Sequence, residues 1–447
     1  MILKKAYQPI DNSPLIVFRI LFGLLIFAES LVALTTGWVK KNLVDTIVNL
    51  PHIGMDFLVP LPGNGMYYYY ILMGLTGILI AIGYKYRFSV GLFTILWAGV
   101  YFMQKASYNN HYYLLLLVSI IMLFLPANTY ASIDAKIKPE IKRYSMPRWT
   151  SWVMIIQMTI VYFFATIAKF YPDWLDGTFT GILFSNLSGF PILGTIFTEK
   201  WFHLFIAYAG ILFDGLIIPA LLWKKTRNVA FLASLLFHLF NSVTLKIGIF
   251  PYFALSFVLF FYSPEKIRAL FLRKKPILDQ GLHTSFQFEN KIAFFFIPLL
   301  VLQLILPVRH WFIKGDVLWT EEGHRLSWRM MLRDKNGITR FKVIDAKTNL
   351  EIPYDIGQKL TKKQLSLVTS KPDGIWQMAQ HIKKEFAQQG VLVKIFVDSQ
   401  LSVNRKPYKR FIDPEVDFAQ AEWNYFFHND WILLYDSKGE LQSKKEN

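Results

Sequence analysis

Hydrophobic residues in this chain come in runs long enough to cross a lipid bilayer, and that feature excludes most folds. A bilayer core of ~30 Å takes ~20 apolar residues as a helix. Nine such segments are read, at about 15–35, 67–83, 88–104, 111–127, 150–170, 203–223, 228–246, 250–263 and 291–308. Residues 1–310 carry 26 Lys/Arg and 13 Asp/Glu, whereas the shorter stretch 311–447 carries 22 and 18. The first part is therefore lipid-like and the last water-like. The fold expected is a polytopic α-helical membrane bundle of about nine spans over 1–310, then an extracytoplasmic α+β, β-rich domain over 311–447. Charged residues are only 18% of the 447, against ~25% in a soluble domain. That excludes disorder and a nucleic-acid-binding arm in spite of a net charge of +17. With no cysteine, disulfides, thiol nucleophiles and cysteine-based metal sites are excluded too.

The basic residues between segments give an orientation. With the N-terminus inside, the N-terminal arm, the loops 84–87, 128–149, 224–227 and 264–290, and Lys291 carry 18 Lys/Arg. The outer connections carry six: Lys40, Lys41, Lys105, Lys200, Lys246 and Arg309. This is a positive-inside bias. Nine spans then put residues 311–447 on the non-cytoplasmic side. The first segment follows two lysines without a small-residue cleavage site and reads as a retained signal anchor. The positive charge sets topology and meets anionic lipid headgroups.

Ionisable groups inside spans are costly and mark functional sites by default. Here they are Arg19, Glu29, His111, Lys169, Asp214 and His238. Plainer readings exist. Glu29 lies near a span end and can reach water, Arg19 can snorkel or pair with a buried acid, and Asp214 can be a structural partner for an Arg or Lys. The other three share a depth. His111 opens the fourth span, Lys169 closes the fifth, and His238 sits in the outer half of the seventh. Asn241 follows His238 at i+3, on one helix face. Asn109, Asn110, His111, Lys169, His238 and Asn241 are thus presented on the side where the soluble domain is expected. Two histidines on different helices can hold a metal, but their neighbours are amides rather than carboxylates, so no metal is assigned. Lys169 lies in the apolar stretch Phe163 to Phe170. Desolvation favours its neutral amine, a general base or Schiff-base nucleophile. Its plainer reading is a snorkelling lysine at a helix end.

At these residues the chain resembles the vitamin K-dependent γ-glutamyl carboxylase family, within the larger group of horizontally transferred transmembrane domain proteins. The matching stretches are Asn109 to Leu114, Tyr162 to Lys169 with Asp173 to Gly177, Phe237 to Ser242 with Ile247 to Phe250, and Arg309 to Trp311. Val317 to Met330 is long and specific, and Asn404 to Pro407 with Ile412 to Pro414 adds a later match. The resemblance spans about residues 8 to 435.

What the resemblance implies is a reaction. Lys169 aligns with the family's active lysine, which deprotonates vitamin K hydroquinone. Oxygen adds, a strong alkoxide base forms as the quinone becomes its epoxide, and that base removes a glutamyl γ-hydrogen before carbon dioxide traps the carbanion. The cofactor implied is reduced vitamin K (phylloquinol or menaquinol), with O2 and CO2 as co-substrates. The partners are the bilayer, the membrane quinol and a glutamate-containing peptide or protein, with no nucleic acid. Such a site belongs in a dry membrane interior, below a domain that meets a water-soluble substrate. By the same resemblance His111 is catalytic, stabilising negative charge or polarising carbon dioxide. Asn110, His238 and Asn241 bind the quinone. Arg325, Trp328 and Arg329 bind the glutamyl substrate, the two arginines as a carboxylate clamp. Localisation would be the inner membrane of a bacterium or the endoplasmic reticulum of a eukaryote. Ala168 stands where animal members have a second Lys, Thr166 where many have Gly, and His324 where animal enzymes have Tyr. Two alternatives stay open: a quinol epoxidase that has lost or redirected carboxylation, and a non-catalytic transport or assembly protein.

In the outer domain, strands are expected at 325–333, 338–346, 391–403 and 430–436, and a helix at 373–389 between Asp373 and Gly390. In the first strand, Arg325, Ser327 and Arg329 would alternate outward with Leu326, Trp328 and Met330 inward.

Overall fold

A computed structural model of the chain describes residues 5–185, 187–189, 194–245, 248–277, 287–436 and 438–442. Its apolar helices begin with α1 (Ser13–Thr35), α2 (Gly65–Ile82), α3 (Tyr86–Met103), α4 (Asn110–Phe124) and α5 (Trp149–Ile167). They continue with α6 (Lys200–Leu222), α7 (Arg227–Leu245) and α8 (Phe250–Ser256), which runs on as a 3-10 turn to Phe260. The short amphipathic α9 (Pro264–Phe271) precedes α10 (Gln287–Val308). Among the described residues seven helical segments are long and apolar enough to cross a membrane; the α4 and α8 segments are shorter. At 1.5 Å per residue α4 is ~22 Å long, below the ~30 Å of a hydrocarbon core. Its start is fixed by Asn109, whose Oδ1 accepts the Tyr112 amide at 2.7 Å. Lys246 and Ile247 fall outside the described residues.

Bundle packing follows from small residues and backbone satisfaction. A Cβ on Gly23 would lie 2.4 Å from the Ala81 nitrogen and the Gly77 oxygen, so α1 and α2 cross at backbone distance, as small residues allow in lipid. Arg19 is fully buried in α1. It pairs with no acid among the described residues and does not snorkel. It donates to the carbonyls of Ala81 (3.1 Å), Ala127 (2.9 Å), Tyr130 (3.3 Å) and Ala131 (2.6 Å), closing open backbone acceptors at one end of the bundle. Nearby, the short pair β1 (Pro9–Asp11) and β2 (Ser145–Pro147) positions Asp11, which binds the buried Lys275 after α9.

Past residue 334 the chain forms an antiparallel four-stranded sheet. Its strands are β3 (Lys335–Asp345), β4 (Glu351–Ile352), β5 (Val393–Val403) and β6 (Lys409–Arg410), in the order β4-β3-β5-β6. β3 and β5 pair from Lys335↔Val403 to Asp345↔Val393. Val393, Ile395, Val397, Ser399 and Leu401 face inward by strand alternation. The helices α11 (Lys362–Ser370) and α12 (Pro372–Gln388) cover that face, with Ile375, Met378 and Ile382 buried. The expected strands at 338–346 and 391–403 and the helix at 373–389 are thus present, with ends that agree to about three residues.

Two expected strands are not. At 430–436 only single bridges form, Ile412↔Ile432 and Tyr435↔Leu441. The stretch 325–333 is a series of turns. Leu326, Trp328 and Met331 have φ of 61°, 56° and 49°, and Glu321 just upstream has 62°. Four non-glycine residues in the left-handed region break any ladder, and such strain collects at functional segments.

The two parts interlock. Val48 and Leu50, from the α1–α2 connection, are buried in the core of the sheet domain. Conversely Trp328 is fully buried among bundle residues, stacked on Tyr113 of α4 with ring centres 5.0 Å apart.

Candidate active site

Lys169 lies just past the end of α5, where the amides of Ala168 and Lys169 still donate helical-type bonds to the carbonyls of Phe164 and Thr166. Its side chain is sealed by Trp174, whose ring centre is 5.3 Å from Nζ. Nζ donates to the Ala165 carbonyl at 3.0 Å and to Asp214 Oδ2 at 2.5 Å. Both side chains are buried, each about 9% exposed. Lys169 is therefore not a snorkelling residue. The single acid in the sixth apolar segment is its partner, and the pair is the ionisable centre of the membrane part. An ion pair this dry survives because its members hold each other.

Two turns before Lys169 on the same face of α5, the Tyr162 hydroxyl lies 3.2 Å from His238 Nε2. His238 is buried, and its Nδ1 has no partner among the described residues. Its ring centre is 6.3 Å from Phe250, and His111 packs 4.9 Å from the same ring. The structure thus brings His111 and His238 to one aromatic wall, together with the stacked pair Phe213 and Phe237 at 3.9 Å. Asn241 is half-buried one turn beyond His238. Glu29, half-buried, accepts the Tyr112 hydroxyl at 2.9 Å, beside His111.

Asn110 is committed at both ends of its amide. Oδ1 accepts from the Tyr108 hydroxyl at 3.0 Å and Nδ2 donates to the Arg329 carbonyl at 3.1 Å. It holds the 321–333 segment over the bundle. Arg325 has a similar task. Its guanidinium grips Asp373 through Nη1 (2.5 Å) and Nη2 (3.3 Å), and Lys105 reaches the same carboxylate at 2.7 Å. Burial would raise the Asp373 carboxyl, but Arg325 and Lys105 hold it well below the usual carboxylate range. Burial pushes Lys105 down to about 8. Trp328 is buried inside the bundle against Tyr113. Arg325 and Trp328 thus tie the segment to Asp373 and to Tyr113.

Arg329 differs. It is buried, Nη1 is 3.3 Å from His310 Nε2, and Nε has no partner among the described residues. Burial and then the neighbouring Arg333 lower its pKa to about 10. A dry cation with donors to spare is a receptor for an anion. Arg333 is already held by Glu321, with Nε 2.6 Å from Oε1.

Outer-domain residues also bind the segment that carries Lys169. The β5–β6 turn, with Asn404 and Arg405 left-handed, sends Asn404 Nδ2 to Asp173 at 2.8 Å and Lys406 Nζ to the same carboxylate at 2.7 Å. The Tyr171 hydroxyl donates to the Leu332 carbonyl. Hydropathy and motif spacing do not single out Lys169 as the partner of Asp214, nor the Tyr162–His238 contact, nor the clamp on Asp173. The i−7 spacing of Tyr162 from Lys169 is the available signal for the second; the others depend on helix rotation and domain docking.

An apolar helical bundle with a buried Lys–Asp pair, roofed by a β-sheet domain, is an integral membrane protein. The HTTM domain family matches residues 7–265, more than half of the chain, and the chain belongs to it. The lumenal domain of vitamin K-dependent gamma-carboxylase matches residues 288–438, so the chain is a member of the carboxylase family with a γ-carboxylase-like function. No solved structure matches it.

Proposed function

We propose that the protein is a vitamin K hydroquinone-dependent γ-glutamyl carboxylase, coupling quinol epoxidation to carboxylation of glutamyl side chains. The observation that carries this reading is the Lys169–Asp214 pair at 2.5 Å, sealed below the Arg329 segment in a chain that carries both family domains. The site suits an aromatic diol. The rings of Phe213, Phe237 and Phe250 offer apolar faces, and the buried Nδ1 of His238, unpartnered among the described residues, offers a hydrogen-bonding atom. When bound, the quinol supplies, through its oxidation by O2, a base strong enough to take a γ-hydrogen from glutamate.

The protein's own groups do the rest. Lys169 and Asp214 face each other across a single 2.5 Å contact and act as one unit. The pair is proposed as the base that takes the quinol proton, each member holding the other in the dry interior. His238, fixed by Tyr162, and Asn241 orient the quinol. His111 serves negative charge developing near Phe250. Arg329 takes the glutamyl carboxylate, and Arg325, Asn110 and Trp328 keep it in place. Residues 1–310 are proposed as the catalytic membrane part and 311–447 as the extracytoplasmic part, with the N-terminus cytoplasmic on the charge bias of 18 against six.

The test supplies purified protein with reduced phylloquinone or menaquinone, O2, a glutamyl peptide and labelled bicarbonate. Epoxide together with label in the peptide is the expected result. Epoxide without label reduces the function to quinol epoxidation, and neither product overturns the proposal.

A further inference from the structure

A second cavity lies far from this site, at the end of the bundle where Arg19 closes the backbone. It measures about 750 Å³ and opens between the 130–142 connection and the end of α9. Five cations line it: Lys275, which is paired with Asp11, and four others, Lys136, Lys142, Arg273 and Lys274. Among the described residues no acid does. Glu140 is close in sequence but not on the wall, and Asp134 is consumed by the amides of Lys85 (2.7 Å) and Tyr86 (2.9 Å). Both sides are fixed from behind by buried groups. Arg19 holds the carbonyls of Tyr130 and Ala131. Lys275, fully buried, is tied to Asp11, to Ser13 Oγ at 3.0 Å and to the Tyr144 carbonyl at 3.1 Å. At the rim, Leu270 and Phe271 are 56% and 58% exposed.

We propose that this cavity is a binding site for an anionic phospholipid, whose phosphate meets Lys136, Lys142, Arg273 and Lys274 and whose acyl chains leave over Leu270 and Phe271. Cations with no acid beside them on the wall among the described residues attract a phosphate, and each basic residue near a membrane surface adds to that attraction. Apolar side chains at the mouth suit a ligand that is half hydrocarbon. A volume of ~300–1,000 Å³ is that of a small-molecule site, enough for a headgroup but not for the chains. The same phosphate chemistry exists in free phosphate, which has no use for the apolar rim. This proposal stands apart from the catalytic reading, since none of its residues is assigned to catalysis.

The experiment uses the full-length protein in detergent, titrated with phosphatidylglycerol, with phosphatidylcholine and with inorganic phosphate. Retention is read by native mass spectrometry and thermal unfolding. Phosphatidylglycerol should be retained and should raise the melting temperature, while the other two do neither. The variant Lys136→Gln/Lys142→Gln/Arg273→Gln/Lys274→Gln should bind phosphatidylglycerol at least ~tenfold more weakly and unfold as wild type does in phosphatidylcholine. Equal retention of both lipids, an equal response to inorganic phosphate, or unchanged binding in the variant overturns the proposal. If the fourfold variant does not fold, the two double variants are measured, and wild-type affinity in both overturns it as well.

Discussion

At the scale of single residues, the behaviour of Lys169 follows from its having a partner. Lys169→Ala dismantles the pair that serves as the base, and general-base losses are typically ~10²–10⁴-fold; epoxide formation in the variant should fall by that much. Lys169→Arg should not restore it, because a guanidinium stays protonated. Near-normal rates in either variant would end the assignment. Asp214→Asn leaves the ammonium buried and unpaired, which for one member of a buried pair costs ~3–5 kcal/mol. The double variant Lys169→Met/Asp214→Asn should recover most of that stability and none of the activity, as read by melting temperature and epoxide rate on the same samples. Arg329→Gln should raise KM for a glutamyl peptide by roughly tenfold or more, the worth of a charged hydrogen bond, and change quinol oxidation at saturating peptide little. A uniform loss of both activities would make Arg329 an anchor like Arg325. The Lys, the His pair and the amides were legible in sequence because ionisable groups are rare in lipid. Their contacts were not, because hydropathy gives the depth of a residue in a span and not the direction it faces.

At the scale of elements, the segment 321–333 shows why an alternating pattern misled. Arg325, Ser327 and Arg329 recur with period two, as in a strand, yet the two arginines serve different partners, Asp373 and His310. Trp328 between them turns into the bundle. The left-handed residues that permit this are Glu321, Leu326, Trp328 and Met331, none of them a glycine that would have announced a turn. Strands β3 and β5 were readable because one face is buried and alternation then has a single cause. The docking of α12 on the bundle rests on Asp373, and its charge dependence has a definite sign. A carboxyl held below its usual value of 3.8 contributes stability that is fully present above that pH and is lost as pH falls toward the folded-state value. The melting temperature of the protein should therefore drop on acidification below about 4, and the drop should shrink in Asp373→Asn. An identical acid profile in that variant would assign the transition to other carboxyls, Glu321 among them.

At the scale of the whole molecule, seven of the nine expected spans were readable because a bilayer admits long helical runs, the two shorter ones, α4 and α8, were legible only as apolar stretches, and the sharp rise in charge after residue 310 marked the second part. No pattern of hydropathy or charge shows that the parts exchange core residues. Trp328 completes the bundle, while Val48 and Leu50 complete the sheet domain. With the orientation proposed from the basic loops, a reporter fused after residue 447 should be reached by impermeant reagents only from the non-cytoplasmic side. Labelling from the cytoplasm would overturn the nine-span topology. The place of Trp328 also bears on how the protein is made. A ribosome delivers the helices first, and by the time α10 has emerged the bundle still lacks the indole that stacks on Tyr113. The nascent bundle has to wait, already in the lipid, for a residue translated after its last helix and folded back into it. The membrane part is thus finished by the chain that follows it, and a chain interrupted between Val308 and Trp328 would leave a core with a side-chain-sized opening.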